Sequence, residues 1–342
     1  GRQTVLAARR PFSSPLAADA RRGACRVELA ETAGFAPGDA VVISSLSQRG
    51  WKSTHAIVQT VDGTTLHLSR PLWNDYKVAD KAAAVHWFAM ISAVLEHDVS
   101  IADLAIEGVP ERIWLRPDFT ASAIHLVRCC DSQVSGCQVR GWPHDGVSVQ
   151  MGGRVGVNNC RVQRCCGHGF HPGTGTRQTV WSNNIAADNG MDGLFFCMRV
   201  RDSIVSNNLF VGNRRHGVGG LGGGEDWRNL VANNQCVRNG GAGIELDGGK
   251  SNTVIGNICR ANSQAGRGKW PGILLTKTRL NIVRANQCFD EANSATQTIG
   301  IEERPDAGEN IVAQNVCLAC ELSLAGQASI WVENIAHATA QP

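Results

Sequence analysis

One phrase returns along most of this chain and limits what the chain can fold into. It appears as VNNCRVQRCCGHGF (157–170), WSNNIAADNGMDGLFF (181–196), VSNNLFVGNRRHGVGG (205–220) and VANNQCVRNGGAGIEL (231–246), with looser copies on both sides. One column of the repeat reads Cys137, Cys160, Asn184, Asn208, Asn234, Asn257, Asn286 and Asn315, at intervals of 23 to 29 residues. Two places further on stand Val139, Val162, Ala186, Phe210, Cys236, Cys259, Cys288 and Cys317. Short β-branched segments recurring at such a period predict a parallel β-solenoid, in which each turn stacks on the next at about 4.8 Å and equal positions form ladders. The first column then reads as stacked amides hydrogen-bonding inside the turns, and the second as core wall.

The repeat accounts for many of the thirteen cysteines, Cys137 and Cys160 in the first column and Cys236, Cys259, Cys288 and Cys317 in the wall. They read as small buried side chains rather than a disulfide framework or a metal quartet, with Cys317-Leu318-Ala319-Cys320 their one CxxC spacing. About ten turns are expected over residues 81–336, with DVSIADLAIEG (98–108) as an early one and a loop around VPERIWLRPDF (109–119) interrupting the rhythm. Residues 1–80 lack the repeat. Their HAIVQTVDGTTLHLS segment (55–69) carries Asp62-Gly63 between two alternating runs, a hairpin signal, and predicts a small antiparallel β module. Residues 337–342 read as a tail.

A second register sits inside the repeat. Eight residues after each of the first five ladder members comes a residue followed by glycine: Asp145, His168, Asp192, His216 and Ala242. Pro271 and Ile299 take the place in the next turns. The glycine suits a sharp corner entering a strand, and the residue before it is expected on the bend with its side chain toward solvent. A fold that needed charge at this corner would continue it. Asp-His-Asp-His runs for four rungs and stops, so the column reads as a site rather than a turn rule. Asp and His alternating at about 4.8 Å tune each other's proton affinity. The following strand carries outward positions at Ser148, His171, Phe195, Gly219, Glu245 and Leu274.

The expected catalytic set is therefore Asp145, His168, Asp192, His216 and His144. The expected substrate-binding set is His171, Arg199, Glu225, Asp226, Glu245 and Lys250. No metal site is assigned: His144, His168, His171 and His216 can be imagined around an ion, but no HxxxH helix or Cys/His quartet supports one. A formal charge of +3 over 342 residues argues against nucleic acid or a membrane surface as partner, and no apolar run approaches the ~18 residues of a span.

Over residues 81–336 these repeats resemble the right-handed parallel β-helix proteins of the pectate lyase-like superfamily, which includes polysaccharide lyases, polygalacturonase-type hydrolases and C5-epimerases of uronate polymers. The resemblance implies an all-β, right-handed parallel β-helix and a polysaccharide or oligosaccharide bound in a groove along the stacked strands. Asp145-Gly146, Gly167-His168-Gly169 and Asp192-Gly193 are similar in type to the catalytic phrases of polygalacturonases. Pro143-His144-Asp145 is similar to the last three residues of the Asp-Pro-His-Asp phrase of alginate C5-epimerases, with Trp142 in the first place.

Two carboxylates two rungs apart, about 9.6 Å, just fit an inverting glycoside hydrolase. A uronate-directed lyase or epimerase with His144 or His168 as base and Arg199 or Arg177 as neutraliser is the alternative; a non-catalytic glycan-binding solenoid is the other. The two aspartates are expected to repel a uronate, which places hydrolysis slightly ahead. No cofactor is required on this reading, although the resemblance leaves room for Ca²⁺ on the aspartates. A polymeric glycan implies an extracellular or periplasmic site of action, against which the free thiols weigh mildly.

Overall fold

The computed structural model describes residues 12–45, 53–87, 89–108, 122–222, 225–290 and 295–337. It divides into two units, Gly1–Ala89 with Arg112–Ala121, and Met90–Glu111 with Ser122–Pro342. The loop expected at 109–119 and positions 338–342 of the expected tail lie outside the described residues, while His337 closes the last strand.

The first unit is a six-stranded antiparallel sheet in the order Ser13–Pro15, Ala82–His86, Ala40–Ser45, Ser53–Asp62, Thr65–Leu68, Arg26–Glu28. The Asp62-Gly63 hairpin is present, with Gly63 at φ +55°. Leu29, Val41, Ile43, Leu66 and Ala84 fill its core. The sheet extends past the expected boundary at residue 80, because Ala82–His86 is the strand that joins the first strand to the rest.

The second unit is an all-β, right-handed parallel β-helix of three ten-stranded parallel sheets. In each full coil the chain contributes one strand to each sheet and then pairs with the coil above. Asn184, Asn208, Asn234, Asn257, Asn286 and Asn315 form the expected ladder, each backbone N–H donating to the next Oδ1 at 2.8–3.1 Å. The Asn-Asn pairs have a division of labour. The residue just before the ladder position (Asn159, Asn183, Asn207, Asn233) takes left-handed φ of 54–57°, which asparagine tolerates better than most residues; from Asn184 on, the asparagine after it fills the ladder.

The core wall also stands as read. Val139, Val162, Ala186, Phe210, Cys236, Cys259, Cys288 and Cys317 pair in register and are buried. All thirteen cysteines are free. Burial pushes the Cys160 and Cys165 thiols up to about 12, as expected of packing groups.

Two further polar ladders escaped the sequence reading. Asn189, Asn213, Asn239, Asn262 and Gln297 form one; Ser203, Asn229, Asn252, Asn281 and Asn310 form the other. Their asparagines stand five residues after and five before members of the first ladder, so the signal was present in the spacing.

Candidate functional site

The corner glycines are required by stacking rather than by a left-handed turn. A Cβ on Gly169 would lie 2.6 Å from the Gly193 carbonyl oxygen, and one on Gly146 2.7 Å from that of Gly169. Each corner thus presses on the next, and the residue before each glycine is brought into line with its neighbours.

Asp145, His168, Asp192 and His216 do stack, but the expectation that they point to solvent fails: their exposures are 2, 6, 0 and 3%. Each aspartate leans along the axis and binds the coil above. Asp145 Oδ1 accepts the His168 N–H at 2.8 Å, and Asp192 Oδ1 accepts the His216 N–H at 2.8 Å. The second carboxylate oxygens are left for imidazoles. Asp145 Oδ2 accepts from His171 Nδ1 at 2.7 Å, with His144 Nδ1 at 3.3 Å from Oδ1. Asp192 Oδ2 lies 3.2 Å from His168 Nδ1 and 3.5 Å from Arg215 Nη1.

These pairings set the charges. Burial pushes the Asp145 carboxyl up, but the His144 and His171 charges outweigh it and hold the group well below the usual carboxylate range. The same contact overcomes burial at His171 and raises it to about 10. Asp192 is likewise lowered: burial opposes, and His168, His216 and Arg215 prevail. His125, buried two rungs below His171, has no such rescue in full; burial lowers it to about 3 against a partial pull from Asp145.

The ring nitrogens are committed differently. His216 Nδ1 accepts the Ala242 N–H at 2.9 Å, which leaves Nε2 facing Glu245 Oε1 at 3.4 Å. His168 Nδ1 lies 3.3 Å from the Asp192 N–H and 3.2 Å from Asp192 Oδ2, so a proton on Nδ1 selects the carboxylate and its absence selects the N–H. In either state Nε2 is the His168 nitrogen that remains for a substrate. Phe195 fixes the ring by stacking on it at 4.4 Å and 9° between planes, and meets His171 edge-on at 5.4 Å.

The structure therefore gathers Asp145, His144, His168, His171, Asp192, His216 and Glu245 on one column. The rest of the expected substrate-binding set lies elsewhere. Arg201, Trp227, Lys250 and Arg279 form a ladder at another corner, where Trp227 is sandwiched between Arg201 (4.3 Å) and Lys250 (4.1 Å). Glu225 pairs with Arg201 there, and Arg199 lies close enough to Asp226 to lower its proton affinity. Asp226 is turned inward, fully buried, accepting the Val200 and Gly222 N–H groups at 2.6 and 3.0 Å; burial raises it to about 7. Both of its oxygens are thus met by backbone N–H groups inside the fold rather than turned to solvent.

The sequence reading missed Arg215, whose half-exposed guanidinium reaches Asp192 from the residue next to His216. It also missed Trp270, set edge-on to His216 at 5.0 Å from a loop outside the eight-residue register.

Comparison with known proteins gives a consistent fold and several functions. Residues 103–269 match the family described as "Periplasmic copper-binding protein (NosD)". Mannuronan C5-epimerase AlgE2 of Azotobacter vinelandii is 27% identical over 119 residues, which take in 34% of this chain and 12% of the epimerase. Among solved structures, the tailspike gp61 of Pseudomonas phage phi297 superposes with a TM-score of 0.53 at 13% identity, over 96% of this chain and 58% of that one. A double mutant of the periplasmic alginate epimerase AlgG gives 0.51 at 12% identity, over 72% and 70%. The chain thus spans a small part of the curated relative and shares its parallel β-helix fold with proteins of more than one activity.

The side chains do not fit a resident copper ion. Among the described residues no group of three or more His, Cys, Asp or Glu side chains converges as a metal site, and the column imidazoles face carboxylates and backbone rather than one another's lone pairs. Among the same residues no helix is long and apolar enough to cross a membrane.

Proposed function

We propose that this β-helix acts on a polysaccharide outside the cytoplasm, and that its chemistry is proton transfer at C5 of a uronate by a histidine base, giving epimerisation first and elimination as the variant outcome. The observation that carries this reading is the state of the two column aspartates. Inverting hydrolysis needs one carboxylic acid still protonated near neutrality, to protonate the leaving oxygen. Asp145 and Asp192 are buried, bound by imidazoles, and both held below the ordinary range. They orient histidines; they do not deliver protons.

The electrostatic objection to a uronate also falls. Each aspartate carries its own counter-charge, His171 on Asp145 and Arg215 on Asp192. A substrate carboxylate meets the outward cations, with the aspartates already neutralised behind them. In this arrangement His168 Nε2 takes the C5 proton, Asp192 supports the imidazolium that forms, and Arg215 stabilises the charge developing on the carboxylate. Returning a proton to the opposite face gives the epimer; expelling the 4-oxygen gives an unsaturated product. Ca²⁺ is not needed for neutralisation, because the carboxylates that would bind it are spent on imidazoles and N–H groups.

A binding-only solenoid is less well supported. It predicts tryptophans clustered on one face, whereas Trp142 and Trp181 are core residues, Trp227 lies between cations and Trp270 meets the column. The test is incubation with polymannuronate and polygalacturonate in D₂O. Deuterium at C5 without new chain ends supports epimerisation, and 4,5-unsaturated ends, whose C5 carries no hydrogen, support elimination. New reducing ends without unsaturation or C5 exchange would restore the hydrolase.

A further inference from the structure

One group at this corner is used by neither ladder nor column. Cys197 lies two residues beyond Phe195, just past the end of the Leu194–Phe195 strand, and its N–H donates to the Pro172 carbonyl of the coil below at 3.1 Å. That register sets its thiol diagonally across from His171. His171 already gives Nδ1 to Asp145 at 2.7 Å, and its buried Nε2 has no conventional hydrogen-bond partner. The Cys197 thiol is near enough for it and His171 to shift each other's proton affinity, and Thr174 Oγ1 approaches the sulfur at 3.2 Å. Asp145, His171 and Cys197 thus form a relay across three successive coils.

We propose that Cys197 is an activated thiol and a covalent modification site for small soft electrophiles, of which a peroxide is the natural class. His171 is the positioning residue that holds the thiolate, and Asp145 positions His171. In the reaction the Cys197 sulfur attacks one peroxide oxygen and the O–O bond breaks. An S–O bond forms and the other oxygen leaves as hydroxide, protonated by water. The sulfur is oxidised to the sulfenic acid and the peroxide is reduced. With an alkyl iodide the sulfur displaces iodide.

The other thiols provide the contrast. At Cys197 burial pushes upward, but His171 and Thr174 overcome it and the thiol is lowered, with only Asp226 opposing as a charge. Asp226 is itself raised to about 7, so its opposition is partial at neutral pH. Cys166, similarly half-buried, is pushed up, and the core cysteines further still. Cys197 is partly exposed, so a small reagent has access that the core thiols deny.

The experiment is brief iodoacetamide labelling of the native chain followed by peptide mass mapping, repeated with hydrogen peroxide and a sulfenic-acid trap. Cys197 is expected to label at least about ten-fold faster than Cys166 at neutral pH, and to be the thiol that yields trapped sulfenic acid. His171→Gln should remove most of that advantage while leaving Cys166 unchanged. If this variant does not fold, the pH profile of the unmodified chain decides: Cys197 labelling should stay fast at pH values where the exposed Cys25 has slowed. Equal rates for Cys197 and Cys166, an advantage that survives His171→Gln, or profiles that coincide would each overturn the proposal. None of these readouts depends on the activity proposed above.

Discussion

Two polar stacks run up this β-helix, and they solve the same problem in opposite ways. In the asparagine ladder every group is used. Asn234 Oδ1 accepts the backbone N–H and the Nδ2 of Asn208 at 3.0 and 2.9 Å, while its own Nδ2 donates to Val205 O and Asn257 Oδ1. An amide carries both a donor and an acceptor, so the pattern repeats without change and no coil differs from the next. In the Asp/His column each carboxylate accepts only. One oxygen takes the N–H of the coil above, and the other has to be met by a cation or an imidazole. Asp192 Oδ2 is buried with no hydrogen bond closed to it, approached by the His168 imidazole at 3.2 Å and the Arg215 guanidinium at 3.5 Å. The ladder is a finished structure; the column keeps capacity for protons and charge.

The largest expected effect comes from converting one stack into the other. Asp192→Asn keeps an Oδ1 for the His216 N–H but removes the charge behind His168. Activity on the polymer identified in D₂O should fall by about 10²-fold or more, with the melting temperature little changed. Loss of the cooperative melt would show instead that the aspartate is structural. The converse variant, Asn257→Ala, strips partners from the Asn234 N–H and the Val231 carbonyl. It should cost about 3 kcal/mol in a denaturant titration and leave the activity of the folded fraction intact.

A smaller effect is a pH signature that the ladder cannot have. Asp145 is depressed from 3.8, so its contribution is present above that value and lost as pH falls through the depressed one. His171 is raised from 6.5 to about 10, so its contribution is complete below 6.5 and lost as pH rises through about 10. The stability gap between the unaltered chain and His171→Gln should therefore be widest between about pH 4 and 6.5, and close toward pH 10. A gap that is flat with pH would break the Asp145–His171 assignment. The smallest expected effect is that of a chelator, which should leave activity and melting temperature unchanged; a loss restored by Ca²⁺ would return a cation to the aspartates.

Much of this was legible before any coordinates, because a solenoid writes its geometry into its period. The eight-residue offset from ladder to corner fixed which residues share a rung, and pairing follows it from Val147 and Phe170 through Leu194 to Val218. The direction in which a side chain leans was not legible. Asp145 and Asp192 both bind the coil above through Oδ1, yet Asp145 takes its imidazole from the next coil's strand and Asp192 from the corner below. Asp226 shows the same limit. It stands beside Glu225 in sequence, but one faces the core and the other pairs with Arg201.

The sequence by itself determined the period, the rungs and the chemistry available on each, since equal positions in stacked coils have to meet. Only the tertiary structure decided that the column is buried, that its carboxylates are held below the ordinary range by the imidazoles around them, and that Arg215 supplies a cation. Those outcomes depend on which oxygen faces which nitrogen, and on how much water is excluded. Distance and desolvation set proton affinity, and a repeat pattern encodes neither.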